Sequence, residues 1–441
     1  MLLNERNFVI PLINNHSNLL KYLSEMVLKE LDSEEIPVRF VITNIDNQGY
    51  HCELGVLNSE KKLVSPPKNS IFDYNIRSYE NTDQFNTVLL IPTGIGAEIG
   101  GHSGDGGAVA RLLAASSDSL ITHPNVVNAS DINEMPENAL YVEGSVITRL
   151  LMGTASIQKV YSNRVMLVID EHEESYFHEA AVNSASAARA ALGLNCPLVV
   201  RMGKKILMQS LYSSSGRAVG QIKYLEYLCE ILEKYRSQYD AVAISTIIDV
   251  PPDFCNDYFL DDINIVNPWG GVEAMLTHAI SMLFDIPSAH SPMMTSMEYE
   301  LDLGVVDPRK SAELISITNL HCVLKGLHRS PRIINSLIYG HSGILTAADI
   351  SCLVIPYGCV GLPTLAALEQ GIPVIAVKEN KNLMQNKLEE LPFTSGKLFI
   401  VENYLEVVGL MNALKAGVAP ESVRRPLAYT TVKAQGDLKT D

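Results

Sequence analysis

Short runs of consecutive apolar residues alternate along the chain with longer stretches of helical spacing. Near the N-terminus NFVIPLI reads as a strand. HSNLLKYLSEMVLKEL reads as an amphipathic helix, its apolar positions recurring every three to four residues. VRFVITNI and YHCELGVL read as two strands separated by the turn signal DNQG. The polar segment SEKKLVSPPKNS, with its proline pair, reads as a linker. Beyond it, VLLIP, DSLIT, RVMLVID, CPLVVRM, DAVAISTIID, SCLVIP and IPVIAV are near-continuous apolar runs, as in strands buried on both faces. AVARLLAAS, SYFHEAAVNSASAARAALG, VGQIKYLEYLCEILEKY and VEAMLTHAISMLF read as the helices between them. This order predicts an α/β fold with doubly wound, mostly parallel sheets in two lobes and a small N-terminal α/β cap. The expected division is residues 1–84 for cap and linker, 85–210 for a first lobe and 211–441 for a second. The small polar segment SLYSSSGR marks the boundary between the lobes.

Length and composition support this picture. A chain of 441 residues exceeds one ordinary core. With 47% hydrophobic and 19% charged residues it carries enough apolar material for full cores rather than disorder. The net charge of −16 repels phosphate backbones and anionic lipid, so neither nucleic acid nor membrane is expected as a partner. A local basic pocket remains compatible: Lys204, Lys205 and Arg217 lie close in sequence, with solvated surface charge as the alternative. The seven cysteines are scattered and form no C-x-x-C pair, against a disulfide scaffold or structural zinc. The start of the chain is a poor signal peptide, and no apolar run approaches the roughly 18 residues that span a bilayer. The expected location is therefore cytoplasmic. Homo-oligomerisation is left open.

Three motifs carry candidate chemistry. The first runs from Pro92 to Gly107, PTGIGAEIGGHSGDGG. Glycines between a strand and a helix let backbone N–H groups approach a ligand, and the helix N-terminus favours an anion. Thr93, Gly94, Gly96, Gly100 and Gly101 are the expected contacts. The run is neither a P-loop nor G-x-G-x-x-G, and a structural loop is the competing reading. Glu98, His102 and Asp105 exceed what a turn needs and suit acid–base work. His123, Asn125, Asn128 and Asp131 follow the next strand, at the same sheet edge in a parallel sheet. Metal binding, acid–base chemistry or substrate contact (Asn125 and Asn128 as ligand contacts), and simple bracing are the three readings there. No tight ligand spacing is present, so no metal is assigned.

The second motif, NPWGGVEAMLTH, places Gly270 and Gly271 before a helix and Glu273 in its first turn. Glu273 and His278 are five apart, which argues against a metal pair on one helix face. His290 ends the next strand segment, as a functional or a satisfied core histidine. Trp269 stacks on a ligand ring or packs. The third motif, IPYGCVGLPTLAALEQGIPVIAVKEN, spells strand, turn, helix, glycine cap and strand. Gly358, Cys359 and Gly361 form its turn, and Glu379 and Asn380 end its last strand, where they are expected to face the same cleft as ligand contacts. Cys359 is a nucleophile at a helix N-terminus or a small residue filling a tight turn.

That third segment, about 25 residues, resembles the final nucleotide-side βαβ unit of two-lobed glycosyltransferases and sugar-nucleotide epimerases. The resemblance implies a diphosphate held by the turn and helix N-terminus. Taken together, PTGIGAEIGGHSGD, THPNVVNASDINEMPENALYVEGSVI, GGVEAMLTHAIS, AHSP and GCVGLP with GIPVIAVKEN resemble a bacterial and plant family of proteins of unknown function, from about Asn86 to about Asn380. That likeness transfers no activity. It implies a cytosolic location and glycine loops as the working parts. The expectation is an enzyme of small-molecule metabolism, a transferase or isomerase, binding a phosphorylated, carboxylated or nucleotide-linked anion. His102, His123 or His290 would move protons, with Glu98 or Asp105 orienting them. No cofactor is predicted, although a nucleotide or sugar nucleotide fits the resemblance. The rivals are a metal-dependent hydrolase or lyase using His102, Asp105 and His123, and a non-catalytic metabolite-binding protein.

Overall fold

The computed structural model describes residues 1–13, 18–59, 67–128, 135–260, 265–296, 304–315 and 319–432. Asp131 and residues 60–66 of the expected linker lie outside them. The chain opens with β1 (Leu2–Ile10), α1 (Leu19–Lys29), β2 (Glu35–Asp46) and β3 (Gly49–Asn58). Then come β4 (Asn86–Leu89), α2 (Gly107–Ala114), β5 (Ser119–Thr122), α3 (Pro124–Val127), β6 (Ala139–Tyr141) and α4 (Gly144–Leu151). A long excursion follows. Its first part is β7 (Ser156–Gln158), β8 (Val165–Ile169), α5 (Ser175–Leu192), β9 (Leu198–Arg201), β10 (Leu207–Tyr212), β11 (Ala218–Lys223), α6 (Glu226–Lys234) and β12 (Ala241–Asp249). Its second part is α7 (Pro252–Leu260), α8 (Gly270–Phe284), β13 (Ser288–Met293), α9 (Pro308–Ile315), α10 (Asn319–His328), β14 (Arg332–Ile334) and β15 (Ile344–Leu345). The chain then returns with β16 (Ile350–Pro356), β17 (Val360–Gly361), α11 (Leu362–Gln370), β18 (Val374–Val377), β19 (Leu398–Val401) and α12 (Tyr404–Lys415).

One sheet is six-stranded and wholly parallel, in the order β6-β5-β4-β16-β18-β19. Numbered along the chain, that is 3-2-1-4-5-6, and the direction of winding reverses between β4 and β16. Every residue of β4, β5 and β18 is buried, the polar Asn86, Thr87, Ser119 and Thr122 included, and the apolar residues among them form the short runs seen in the sequence. Helices α2 and α12 pack together, as do α4 and α11. Right-handed crossovers in opposite directions from the reversal put these pairs on opposite faces of the sheet.

The other large sheet is ten-stranded and mixed, in the order β17-β2-β3-β1-β11-β10-β12-β8-β9, with β13 beside β12. From β2 to β10 its pairings are antiparallel; around β12 they are parallel. The N-terminal strands thus extend this sheet at its antiparallel end. Strand pairing also cuts across the expected division at 84 and 210. Segments 86–141 and 350–401 build the parallel sheet, and the long excursion joins the N-terminal strands. SLYSSSGR is no boundary: it belongs to the β10–β11 hairpin, turning at Gly216 with φ of +82°. A polar, glycine-containing turn and a linker share one composition. VGQIK, expected as helix, is the strand β11, and helix begins only at Glu226. β17 follows directly on β16 and pairs with β2, tying the two sheets together.

Candidate functional site

Ligands in α/β sheets of this kind bind beyond the carboxyl ends of the strands, at the reversal point. A cavity of about 190 Å³ opens there. The loop after β4 contributes Thr93 and Ser103, the loop after β5 His123, Asn125 and Asn128, and the turn after β16 Cys359 and Gly361. The opposite wall is α8. Gly270, Glu273, Ala274, Thr277, His278 and Met282 all line the cavity, and their spacing of three, four and one marks a single helix face.

Two carboxylate–imidazole pairs meet on this wall. Glu273 Oε1 lies 3.0 Å from His290 Nδ1, and His290 Nε2 lies 2.8 Å from the Thr246 hydroxyl. The carboxylate implies a proton on Nδ1; the Thr246 hydroxyl beside Nε2 also lies 2.9 Å from Met208 Sδ, to which it donates. In this pair the carboxylate faces the cavity: the Glu273 side chain is 24% exposed and that of His290 1%. The second pair is reversed. Glu143 Oε1 sits 2.5 Å from His278 Nδ1, with the Glu143 side chain 3% and the His278 side chain 16% exposed. Glu143 is the N-cap of α4, accepting the Ser145 N–H at 2.9 Å, and it accepts Thr277 Oγ1 at 3.3 Å. Burial pushes the Glu143 carboxyl up, but His278 and the Ser145 donors outweigh it and hold it below the usual range. His123 completes the cluster. Its Nε2 accepts the Ile91 N–H at 3.2 Å, and burial pushes its pKa down to about 4, so the ring is neutral near pH 7.

The glycine loop has a different character from the expected anion cradle. Gly94, Gly96, Gly100 and Gly104 have positive φ. Several of its backbone groups are already bonded to protein. The N–H of Ile99 donates to Asn380 Oδ1 at 2.9 Å, that of Glu98 to Lys381 O and that of Gly104 to Asn125 O, both at 3.0 Å. The carbonyls of Gly94 and Ile95 accept from Ala218 and Leu383, both at 2.9 Å. Gly101 is required by proximity, since a Cβ there would stand 2.0 Å from Ala97 O. The same holds for Gly270, 2.3 Å from Thr93 Cγ2, for Gly271, 2.0 Å from Ala218 O, and for Gly358, 2.6 Å from Met384 O. These glycines let the loop, β11, α8 and the turn after β16 meet closely enough to form the cavity.

Several expected site residues stand outside the cavity lining. His102 Nδ1 bonds the Tyr258 hydroxyl at 2.8 Å, which donates to Glu313 Oε2 at 2.7 Å. Burial, with Arg309 and Lys310 nearby, pushes His102 down to about 4. Asp105 accepts the His102 N–H at 3.2 Å and is pushed up to about 7, chiefly by burial. Glu98 pairs with Arg309 at 2.7 Å. This trio therefore fastens the loop to α7 and α9. Asn380 is buried and braces Ile99 and Tyr404. Glu379 is exposed. Trp269 packs edge-on against Tyr258, ring centroids 5.4 Å apart. Cys359 lines the cavity, but burial pushes its thiol far up, unlike an activated nucleophile. Sequence reasoning missed Glu143, whose only local signal was an N-cap before GSVITRLL, and the arginines Arg39 and Arg149 in the lining. Among the described residues, no group of three or more His, Cys, Asp or Glu side chains is placed to hold a metal ion.

An uncharacterized lipoprotein of Synechococcus sp. is 31% identical over 357 residues, covering 79% of this chain and 97% of the relative. That description overturns the cytoplasmic location expected from composition and the N-terminal residues. Among the described residues, no helix is long and apolar enough to cross a membrane. No solved structure matches the chain. Residues 86–424 match the model of a family described as "Protein of unknown function (DUF3326)", and the chain belongs to that family.

Proposed function

We propose that this protein is an enzyme that moves protons on a small anionic metabolite bound in the cavity at the β4–β16 reversal. One observation carries the reading: α8 presents an accessible carboxylate, Glu273, and an accessible imidazole, His278, on one face, each backed by a buried partner of the complementary kind. Their separation of five positions corresponds to a rise of about 7.5 Å, enough to address two positions of one substrate. Glu273, its ring partner His290 anchored by Thr246, is the base that takes a proton from substrate. His278, held by Glu143, is the acid that returns one. The Rossmann-like 3-2-1-4-5-6 order supports the placement, because such sheets take ligands at this crevice. Net movement of protons is isomerase chemistry, and we favour it over group transfer. A nucleotide-linked substrate stays within the reading, since the N-terminus of α11, in the segment that resembles glycosyltransferases, opens on the cavity.

The test is solvent deuterium exchange. Wild-type protein incubated with a cell metabolite extract in D2O should label one metabolite, read by mass spectrometry. Glu273→Gln and His278→Gln should each cut the exchange rate by about a hundredfold or more, with the thermal transition kept. Binding of a metabolite without exchange or conversion would make the protein a binder and end the proposal.

A further inference from the structure

We infer that the end of the cavity at the N-termini of α8 and α11 is a phosphate site, with Arg39 and Arg217 as its side-chain donors. The inference rests on the cavity being the substrate site and says what the substrate carries: a phosphate monoester.

Arg217 immediately precedes Ala218, whose carbonyl lies against Gly271 in the first turn of α8. Arg39 reaches the same end from β2. Two residues on, Val41 is paired with Gly361, the N-cap of α11, and Phe40 O lies 3.6 Å from where a Gly361 Cβ would be. Both arginines line the cavity. They sit with two buried acids, Glu5 and Glu53. Arg217 Nη1 bonds Glu53 Oε2 and, at 3.3 Å, Glu5 Oε1; Arg39 Nη2 bonds Glu5 Oε2. Ser215 Oγ donates to Glu53 Oε1 at 2.6 Å.

Charge in this cluster is balanced, two against two, but hydrogen-bonding capacity is not. A guanidinium has five N–H groups. The Nε of Arg39 and that of Arg217 are buried without a partner, and the Arg217 side chain is only 3% exposed. Among the described residues, Arg39 Nη1 and Arg217 Nη2 have no hydrogen-bond partner either. Buried donors are rarely left unused unless a ligand or water takes them. Glu5 and Glu53 hold the two guanidinium planes in place beforehand, which lowers the ordering cost of binding. The third contributor is α11. Its N-cap is a glycine, no side chain caps it, and Gly361, Leu362, Pro363 and Thr364 line the cavity. At α8, by contrast, Asn267 Oδ1 already takes the N–H groups of Trp269 and Gly270.

Donors from β2, from the β10–β11 hairpin and from a helix end approach from three directions. That suits a tetrahedral oxyanion better than a flat carboxylate. Arg149, at the far end of the wall, also has a buried Nε without a partner but is a poorer candidate, since both its terminal nitrogens are engaged, Nη1 with Asp285 at 2.7 Å and Nη2 with Ser281 O at 3.3 Å. Along α8, Glu273 and His278 lie about 3 and 10 Å beyond Gly271. The reacting atoms of a small phosphorylated metabolite therefore fall beside the two proton-transfer groups.

Isothermal titration with inorganic phosphate, and with acetate at matched ionic strength, tests the assignment. Wild-type protein should bind phosphate in preference to acetate. Removing Arg217 alone would strand a buried acid, so the variant is the neutral double replacement Arg217→Met with Glu53→Gln, backed by Arg39→Gln with Glu5→Gln should the first fail to fold. A folded double variant should bind phosphate roughly ten- to a hundredfold more weakly, the loss of a charge-assisted hydrogen bond. Absence of phosphate binding, equal binding of acetate, or an unchanged Kd in a folded double variant each overturns the site. Phosphate binding without deuterium exchange would sink the proton-transfer reading and leave the site standing. Exchange on an unphosphorylated metabolite, with no phosphate binding, would do the reverse.

Discussion

Gly101→Ala and Gly107→Ala place the same methyl group six residues apart in one loop, and their expected effects are opposite. At Gly101 the added Cβ would stand 2.0 Å from Ala97 O and 2.9 Å from Ala97 C and N, where ordinary contact begins at 3.4 Å. The obstruction is backbone, so no side-chain rotation relieves it. Overpacking of this kind costs about 1–3 kcal/mol and more where the neighbour cannot yield. We expect at least about 3 kcal/mol, because the loop is fastened at Ile99 to Asn380 and at Gly104 to Asn125. At Gly107, the first residue of α2, nothing lies within 4 Å and φ is not positive. Alanine there should stabilise by up to about 1 kcal/mol, through helix propensity and a less flexible unfolded chain. Urea unfolding followed by circular dichroism, with both variants beside wild type, gives the two signs. Equal stabilities for the two variants would refute the packing account of this loop and restore a loop whose glycines serve flexibility or a ligand.

Asp105 should make stability depend on pH in an unusual direction. Its folded carboxyl is pushed up to about 7 from 3.8, so the folded state binds this proton more tightly than the unfolded chain does. The contribution is full below about pH 4 and is lost as pH rises through 7. His102 and His123, pushed down to about 4, act oppositely, losing stability as pH falls from 6.5 towards 4, so the Asp105 effect shows cleanly only against Asp105→Asn. Urea midpoints at pH 4.5 and 7.5 should move in favour of that variant at the higher pH, by at most about 4 kcal/mol. A pH-independent difference would refute the assignment. Cys359, its thiol pushed up by burial, should resist iodoacetamide in native protein at pH 8 and react only after denaturation; peptide mass spectrometry showing native labelling would reopen a nucleophilic role.

What was legible in the residues divides along the range of the interaction. VLLIP, SCLVIP and IPVIAV announced buried parallel strands, because a strand covered on both faces must be apolar at consecutive positions. The loops after β4 and β5 were expected at one edge and meet there, a consequence of parallel topology alone. The two carboxylate–imidazole pairs were harder. Glu273 and His278 were noticed together and rejected as a same-helix pair, yet each finds its partner on another element, His290 on β13 and Glu143 at α4. No local periodicity encodes a contact such as Thr277 with Glu143, 134 residues apart. The glycines misled in a different way. Gly101 and Gly271 are dictated by neighbouring backbone and Gly270 by the Thr93 side chain, and close packing leaves the same letter in the sequence as a ligand cradle does. SLYSSSGR was read as a border because hairpin turn and linker draw on the same small polar residues.

The interleaving of the two sheets sets a timetable for synthesis. β4 lies at the centre of the parallel sheet, and its inner edge waits for β16; the bond from Asn86 to Asp349 at the foot of that pairing spans 263 residues. At roughly 5–20 residues per second, a ribosome takes about 13 to 50 seconds to deliver the missing strand. Throughout that interval an apolar strand edge is complete in sequence but unpaired, the state most open to wrong pairing and to chaperones. The excursion between the two strands has meanwhile been made, and β8, β12 and β13 within it can already pair with one another. The ten-stranded sheet therefore has most of its strands before the parallel one can close, and the cavity, which needs the turn after β16 and Met384 beyond β18, is completed only late in synthesis.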